Sequence, residues 1–336
     1  PAGLVTAFNS FGLEYARRRV RARNPTESTE VYLWGGKRFC ELIIRAGLGS
    51  AGGVYAFNSA GLELLKHARG LGLKTVMEQT IAPTQVELRI LSRETAAHPD
   101  WEPTAGSNDL AGELAARESE EWKNADVILC GSEFVKQGIA ECGGPLDRCK
   151  VVPYGVAGEA PAARQSAAGG PLRVLAVGAV GLRKGAPYIF EAARALGGKA
   201  KFRMAGNVAL TGGARAKLSA HAELLGAVQR SEISKLYAEA DVFLLPSLCE
   251  GSATATYEAL AAGLPVITTP NAGSVVRDGV DGFIVPVSNA EAIAEKLGLL
   301  ASDRTLLNKM SANARERSLE FTLQAYSRRL LEAVGE

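Results

Sequence analysis

The chain has 336 residues, 47% hydrophobic and 22% charged, close to soluble globular averages and far from disorder. That length supports about two domains, each with a sizeable buried core. Lys and Arg total 38 against 36 Asp and Glu, and a formal charge of +2 argues against a nucleic-acid binder that works by neutralising phosphates.

In chain order, the first marked feature is Arg17-Arg18-Arg19-Val20-Arg21-Ala22-Arg23, the one strong charge run. It reads either as a solvated basic face or as a surface for an anionic partner, a phospholipid membrane or a phosphorylated acceptor. Val54–Phe57 reads as a strand, with Asn58 and Ser59 as N-cap candidates for a helix whose stripe is Leu62, Leu65 and Ala68. Leu71-Gly72 stops that helix, and Lys74–Met77 reads as the next strand. A helix from about Asn108 to Asn124 precedes the apolar run Asp126–Cys130, and Ser132 caps a helix starting at Glu133. This alternation predicts βαβ units and a parallel sheet. Ala157–Pro171 is rich in Ala, Gly and Pro and predicts an interdomain linker.

The rhythm then restarts. Strands are predicted at Arg173–Val177, Lys201–Ala205, Val242–Leu245, Val266–Thr268 and Phe283–Val285, and helices at Ala186–Leu196, Ser231–Ala240 and Thr254–Ala262. Three helices close the chain, near Ala290–Ala301, Arg304–Leu319 and Thr322–Val334. The 37 glycines, where average usage predicts roughly 24, suit many tight turns and close backbone approaches to a ligand. Five scattered cysteines and three distant histidines lack zinc-ligand spacing, so neither a bound metal nor a disulfide framework is expected. No apolar run reaches ~18 residues, and no signal peptide opens the sequence, so a cytoplasmic location is expected.

Two segments can carry chemistry. The first is Pro246-Ser-Leu-Cys-Glu250-Gly-Ser-Ala-Thr-Ala-Thr-Tyr-Glu258, running from a strand end into a helix. Its small residues leave helix N-terminal amides uncovered, which with the helix dipole make an anion site. Glu250 precedes that helix and Glu258 lies about one turn into it, so both carboxylates can face one ligand. The second is Val177-Gly178-Ala179-Val180-Gly181-Leu182-Arg183-Lys184-Gly185, whose glycines and cations make a plausible pyrophosphate clamp. It is not G-x-G-x-x-G, which argues against a dinucleotide dehydrogenase.

With these residues in view, the sequence resembles the retaining glycosyltransferases of family 4 (glycosyl transferases group 1). The resemblance lies in the E-x7-E spacing of Glu250 and Glu258, the following Ala-Leu-Ala-Ala-Gly-Leu-Pro-Val-Ile, Arg183-Lys184-Gly185, and Val152-Pro153-Tyr154-Gly155-Val156. Ala240-Asp241-Val242 and Asp278-Gly-Val-Asp-Gly-Phe283 look like it too, and the match covers about Ala125 to the C-terminus. It implies an α/β GT-B fold, two Rossmann-like doubly wound domains facing a central cleft. The boundaries it implies are 1–155 on the acceptor side, a linker at 156–171, a nucleotide-sugar domain at 172–320, and a C-terminal helix at 321–336 packing back on the first domain. Leu4–Phe8 is similar to the second strand of many relatives, which implies that their first β–α unit is missing here.

The resemblance also implies roles. Glu250 contacts the donor sugar beside the amides of Ser252 and Ala253, while the amides of Thr254 and Ala255 hold the diphosphate. Glu258 binds the ribose, Lys184 with Arg183 offsets charge on the leaving nucleoside diphosphate, and the backbone at Val228 and Gln229 meets the base. No metal or other cofactor is implied; the donor is a nucleoside-diphosphate sugar with base undecided among UDP, GDP and ADP. Two departures stand out: Ala179 where many relatives carry Arg, and Ser252-Ala253 where Phe-Gly is usual. On the acceptor side the candidates are Glu78, after the strand at Lys74–Met77, and His98. The expected activity is metal-independent sugar transfer to an unidentified glycan, lipid-linked or small-molecule acceptor. The alternative is a non-catalytic nucleotide-sugar-binding scaffold of the same fold.

Overall fold

Short apolar runs and longer helical stripes assemble, in a computed structural model describing residues 5–104, 106–157 and 169–335, into two α/β units. The first unit runs to Val86 and takes in Thr104–Cys130 and Lys136–Val151; the second holds Glu87–Pro103, Gly131–Val135 and the chain from Val152. Most of the expected linker, residues 158–168, lies outside the described residues.

Among the described residues the first unit opens with helices rather than a strand. Residues 5–8 carry no regular structure and lead into α1 (Asn9–Arg21), so the strand expected at Leu4–Phe8 is not found over 5–8; Leu4 itself lies outside the description. The reason is the spacing of Phe8, Phe11 and Tyr15, which suits one helical face better than alternation. Phe11 packs 5.7 Å from Trp34 and 5.8 Å from Phe39, ring centre to ring centre, on α2 (Pro25–Ala46). Asn24 caps α2 by accepting from the Glu27 amide at 2.8 Å, while the Glu27 carboxylate accepts from the Arg23 amide at 2.7 Å, a capping box with Pro25 at the first turn.

The parallel ladder is formed by β1 (Gly53–Phe57), β2 (Lys74–Gln79), β3 (Val127–Cys130) and β4 (Cys149–Val151), lying side by side in sequence order. Between them come α3 (Leu62–Gly70), α4 (Thr84–Ala97), α5 (Ala111–Asn124) and α6 (Glu133–Glu141). Neither Asn58 nor Ser59 caps α3: Gly61 occupies the cap, and Asn58 Oδ1 instead accepts from the Thr80 amide at 3.1 Å. α3 buries Leu64, Leu65 and Ala68, leaving Leu62 half-buried.

Two buried carboxylates of α5 hold the loops that leave β1 and β2. Glu121, fully buried, accepts from the amides of Ser59 (2.6 Å) and Gly61 (2.9 Å). Ser59 sits at φ 66, a strained position for a residue with a side chain, and the Arg117 guanidinium holds its carbonyl at 3.0 Å. Glu118 accepts from Gln79 Nε2 at 2.5 Å and from the Thr84 amide at 2.8 Å. Burial pushes the Glu121 carboxyl up to about 7, against the pull of its two amides and Arg117, and pushes Glu118 up as well.

The second unit has a six-stranded parallel sheet. Its strands are β5 (Leu172–Val177), β6 (Ala200–Ala205), β7 (Ala222–Gly226), β8 (Val242–Leu245), β9 (Val266–Thr268) and β10 (Gly282–Ile284). They lie in the order β10-β9-β8-β5-β6-β7, which reverses direction at β5. The connecting helices are α7 (Ala186–Leu196), α8 (Gly212–Ser219), α9 (Arg230–Glu239) and α10 (Thr254–Ala261). α11 (Ala290–Ser302), α12 (Arg304–Ser318) and α13 (Leu323–Val334) follow. β5 pairs with β8 only at Val174↔Val242 and Leu175↔Phe243, so the carboxyl ends of these neighbours are not bonded to each other. That is the switch point where open α/β sheets take ligands. α13 is capped by Thr322, and Arg329 on it donates to the carbonyls of Pro153 (3.0 Å) and Tyr154 (3.3 Å).

The raised Glu121 carboxyl makes stability pH-dependent. The unfolded chain releases this proton near 4.5 and the folded chain near 7, so the stabilising contribution is complete below 4.5 and is lost as pH rises through 7. Urea denaturation between pH 5 and pH 8 should therefore lose on the order of 2–3 kcal/mol from this group. Glu121→Ala should flatten that slope while lowering stability at pH 5.

Candidate functional site

The turn after β5 and the loop after β8 meet at the switch point because glycines let the backbones approach. Gly185 ends the short 3-10 turn Leu182–Lys184 at φ 74, and a side chain there would collide with the Pro246 carbonyl. The Leu248 amide then donates to the Arg183 carbonyl at 2.9 Å, stitching turn to loop. Asn271 Nδ2 holds the Leu248 carbonyl at 2.8 Å, and the Glu250 amide donates to the Asn271 carbonyl at 3.0 Å.

These backbone contacts bring Arg183, Lys184 and Glu250 together. Glu250 Oε1 lies 2.5 Å from Lys184 Nζ and 2.9 Å from Arg183 Nη1, and Arg183 also donates to the Cys249 carbonyl at 3.0 Å. The Glu250 and Lys184 side chains are only 10% and 15% exposed, so solvent screens this cluster weakly. Burial pulls the Lys184 ammonium below its ordinary value even though Glu250 pulls it back up. Glu87, on α4, senses the same charges: burial pushes its carboxyl up, Arg183 draws it down and Glu250 raises it further. The neighbouring Cys249 thiol is pushed up to about 12 by burial, so it is not an activated nucleophile.

Beside this cluster starts α10. Among the described residues the Thr254 and Ala255 amides have no backbone acceptor, whereas the Thr256 amide closes on the Ala253 carbonyl at 2.9 Å. Of the two amides expected beside the sugar, that of Ala253 already has an acceptor. The Ala253 amide donates to the Ala272 carbonyl at 3.1 Å, and Ser252 Oγ is enclosed by Tyr257 Oη (2.6 Å) and the Gly273 carbonyl (2.9 Å). A second turn onward, Glu258 accepts from Tyr237 Oη at 3.1 Å and has Arg230 Nη2 at 3.7 Å. Both partners come from α9, which Val228 and Gln229 immediately precede, with Gln229 at its N-cap.

Glu78 is a buried residue of β2 in the first unit, and the Tyr55 hydroxyl donates to its carboxylate. His98 follows α4, its Nε2 3.3 Å from Tyr188 Oη and 3.5 Å from Glu94 Oε1, and it is not an exposed loop residue. Glu87, Arg230 and Tyr237 stand in no motif of the sequence, and only the closeness of Arg230 and Tyr237 to the Val228-Gln229 stretch marks them. No group of three or more metal-ligating side chains occurs among the described residues, and none of the five cysteines forms a disulfide. No described helix is long and apolar enough to cross a membrane.

Residues 161–317 match the family described as Glycosyl transferases group 1. The chain is 30% identical over 186 residues to the amylovoran biosynthesis glycosyltransferase AmsK of Erwinia amylovora, covering 50% of this chain and 46% of that protein. It is 32% identical over 158 residues to N,N'-diacetylbacillosaminyl-diphospho-undecaprenol alpha-1,3-N-acetylgalactosaminyltransferase of Campylobacter jejuni, covering 44% and 40%. The chain thus spans about half the length of the curated relatives it matches. Among solved structures, HepE of Anabaena in complex with UDP superposes with a TM-score of 0.66 at 15% identity, over 88% of this chain and 82% of that one. The two parallel-sheet α/β units have the GT-B fold.

Removing the shared carboxylate should be costly, because it leaves two cations without their partner. Glu250→Ala is expected to destabilise by about 2–4 kcal/mol, read by urea denaturation. Lys184→Met in that background should recover part of the loss, and a double-mutant cycle measures the coupling.

Proposed function

We propose that the chain is a retaining glycosyltransferase that moves a sugar from a nucleoside-diphosphate sugar to an acceptor without a metal ion. The observation that carries this reading is the meeting of Arg183, Lys184 and Glu250 with the open amides of Thr254 and Ala255 at the switch point of the second sheet. In it, the α10 amides and Lys184, helped by Arg183, bind the diphosphate, and Glu250 turns toward the sugar hydroxyls. Glu258, oriented by Tyr237, holds the ribose, and the backbone at Val228 and Gln229 meets the base. The bond between the anomeric carbon and the phosphate oxygen breaks as the acceptor oxygen attacks from the same face. The acceptor proton passes to the departing phosphate oxygen, and the cations and amides stabilise the charge that develops there. The match to the group 1 family over 161–317 and the UDP bound by HepE support a nucleotide-sugar donor.

The acceptor belongs to this proposal too. AmsK is named for amylovoran biosynthesis and the Campylobacter relative for an undecaprenol-linked acceptor, which supports a glycan or lipid-linked substrate. α1 buries none of its residues, its arginines are exposed, and Leu13 and Val20 stand 54% and 87% exposed. We assign this face to an anionic membrane surface, with the enzyme working in the cytoplasm. Each basic side chain near such a surface contributes about 1 kcal/mol. Sedimentation with vesicles should capture the chain only when phosphatidylglycerol is present and salt is low. Capture should be lost in Arg17→Glu/Arg19→Glu/Arg21→Glu.

Calorimetry with UDP, GDP and ADP tests the donor site first, followed by incubation with sugar donors of the tightest base. One of the three should bind, its sugar donor should be hydrolysed slowly, and Glu258→Ala should weaken binding by about tenfold. Binding without release in any donor would favour the scaffold, in which Glu250→Ala costs little function. No binding would overturn the assignment of Glu250 and Glu258.

A further inference from the structure

The turn that presents Arg183 and Lys184 lacks a capping side chain of its own. Its N-cap is Gly181, and the first amides of such a turn have no acceptor inside it. The acceptor comes from 80 residues upstream: Glu102 Oε1 takes the Leu182 amide at 2.6 Å. A Cβ on residue 181 would collide with that carboxylate, so glycine and Glu102 fit as a pair.

We propose that Glu102 is a positioning residue for the anion-binding turn, carried by a strap of residues 98–103 that belongs to the second unit although it lies between β2 and β3 in sequence. The inference rests on reading Gly178–Gly185 as the diphosphate clamp.

The strap is anchored at several points, all within the second unit. Trp101 is buried in that unit's core, its ring 5.9 Å from Phe190 and 6.2 Å from His98. Thr211 donates from its amide to the Trp101 carbonyl (2.9 Å) and from its hydroxyl to the Asp100 carbonyl (2.6 Å). One turn back, Glu94 accepts from the Tyr188 hydroxyl at 2.9 Å, and His98 packs its ring on Tyr188. A carboxylate held this firmly gives the Leu182 amide a charge-assisted bond stronger than a neutral acceptor would make. The other side of the turn is held by the Leu248 amide. With both sides pinned, the Arg183 and Lys184 stems leave a fixed backbone, and little ordering is left to be done when phosphates arrive. His98 thereby serves as an anchor of the strap.

The experiment compares the diphosphate with the matching nucleoside, because a loosened turn affects only the part of the ligand it touches. Whichever of UDP, GDP and ADP binds the unaltered chain is titrated by calorimetry, and its nucleoside by ligand-observed NMR. Glu102→Ala should weaken the diphosphate about tenfold and leave the nucleoside unchanged. Glu102→Gln, which keeps an acceptor oxygen, should stay within about threefold. Gly181→Ala, which pushes the carboxylate away, should repeat the loss seen with Glu102→Ala. Thermal midpoints of all three establish that the chain is folded. Diphosphate affinity unchanged in Glu102→Ala, or a loss shared equally by the nucleoside, would overturn the positioning role while leaving the donor site standing. No diphosphate binding by the unaltered chain would overturn the clamp and the positioning role together.

Discussion

Glu250 is the carboxylate on which the carboxyl ends of β5 and β8 depend. It faces two cations from a different strand end, where Glu250 and Lys184 are largely shut off from water while Arg183 stays 32% exposed. Each group would be costly there alone: burial already pulls Lys184 down with Glu250 beside it. The arrangement is tolerable because the backbone does the positioning first, through Gly185 against Pro246 and Leu248 on Arg183. On the function proposed above, a bound diphosphate would replace Glu250 as the partner of the two cations and free that carboxylate for the sugar.

The first unit solves a related problem with opposite signs. Its loops at the carboxyl ends of β1 and β2 are tied from below by Glu121 and Glu118, two buried acids on one helix. Amides rather than cations answer Glu121 most closely, with Arg117 at 3.8 Å, and the burial cost shows as a carboxyl near neutrality. Rigid loops at that end of a parallel sheet are what a ligand-facing surface requires. The strained φ of Ser59 persists because Glu121 and Arg117 hold the peptide units on both sides of it.

Much of this was legible in the sequence where the physics is local. β8, the small-residue loop after it and α10 could be read from an apolar run, small residues and a helical stripe, and the two elements fall within a residue of expectation. Glu250 and Glu258 were legible for the same reason, being a few residues apart on one strand–loop–helix segment. α2 could have been read as well, since Asn24-Pro25-Thr26-Glu27 is a capping box in plain view. The strand expected at Leu4–Phe8 is not found over 5–8, where an aromatic stripe packing on Trp34 and Phe39 outweighs local β-preference.

What the amino-acid sequence determines by itself is the succession of strands and helices, the turn glycines, and the segment that gathers two carboxylates beside a helix N-terminus. Each depends on neighbours within about one or two turns, where periodicity and capping act. Only the tertiary structure decides that β5 lies against β8, that Lys184 and Arg183 share Glu250, that the Ala253 amide is already taken, and that Glu102 caps a turn 80 residues away. Those pairings come from sheet order and burial, which bring distant residues into a water-poor place where each charge or amide must find a partner, and no local pattern records which partner that is.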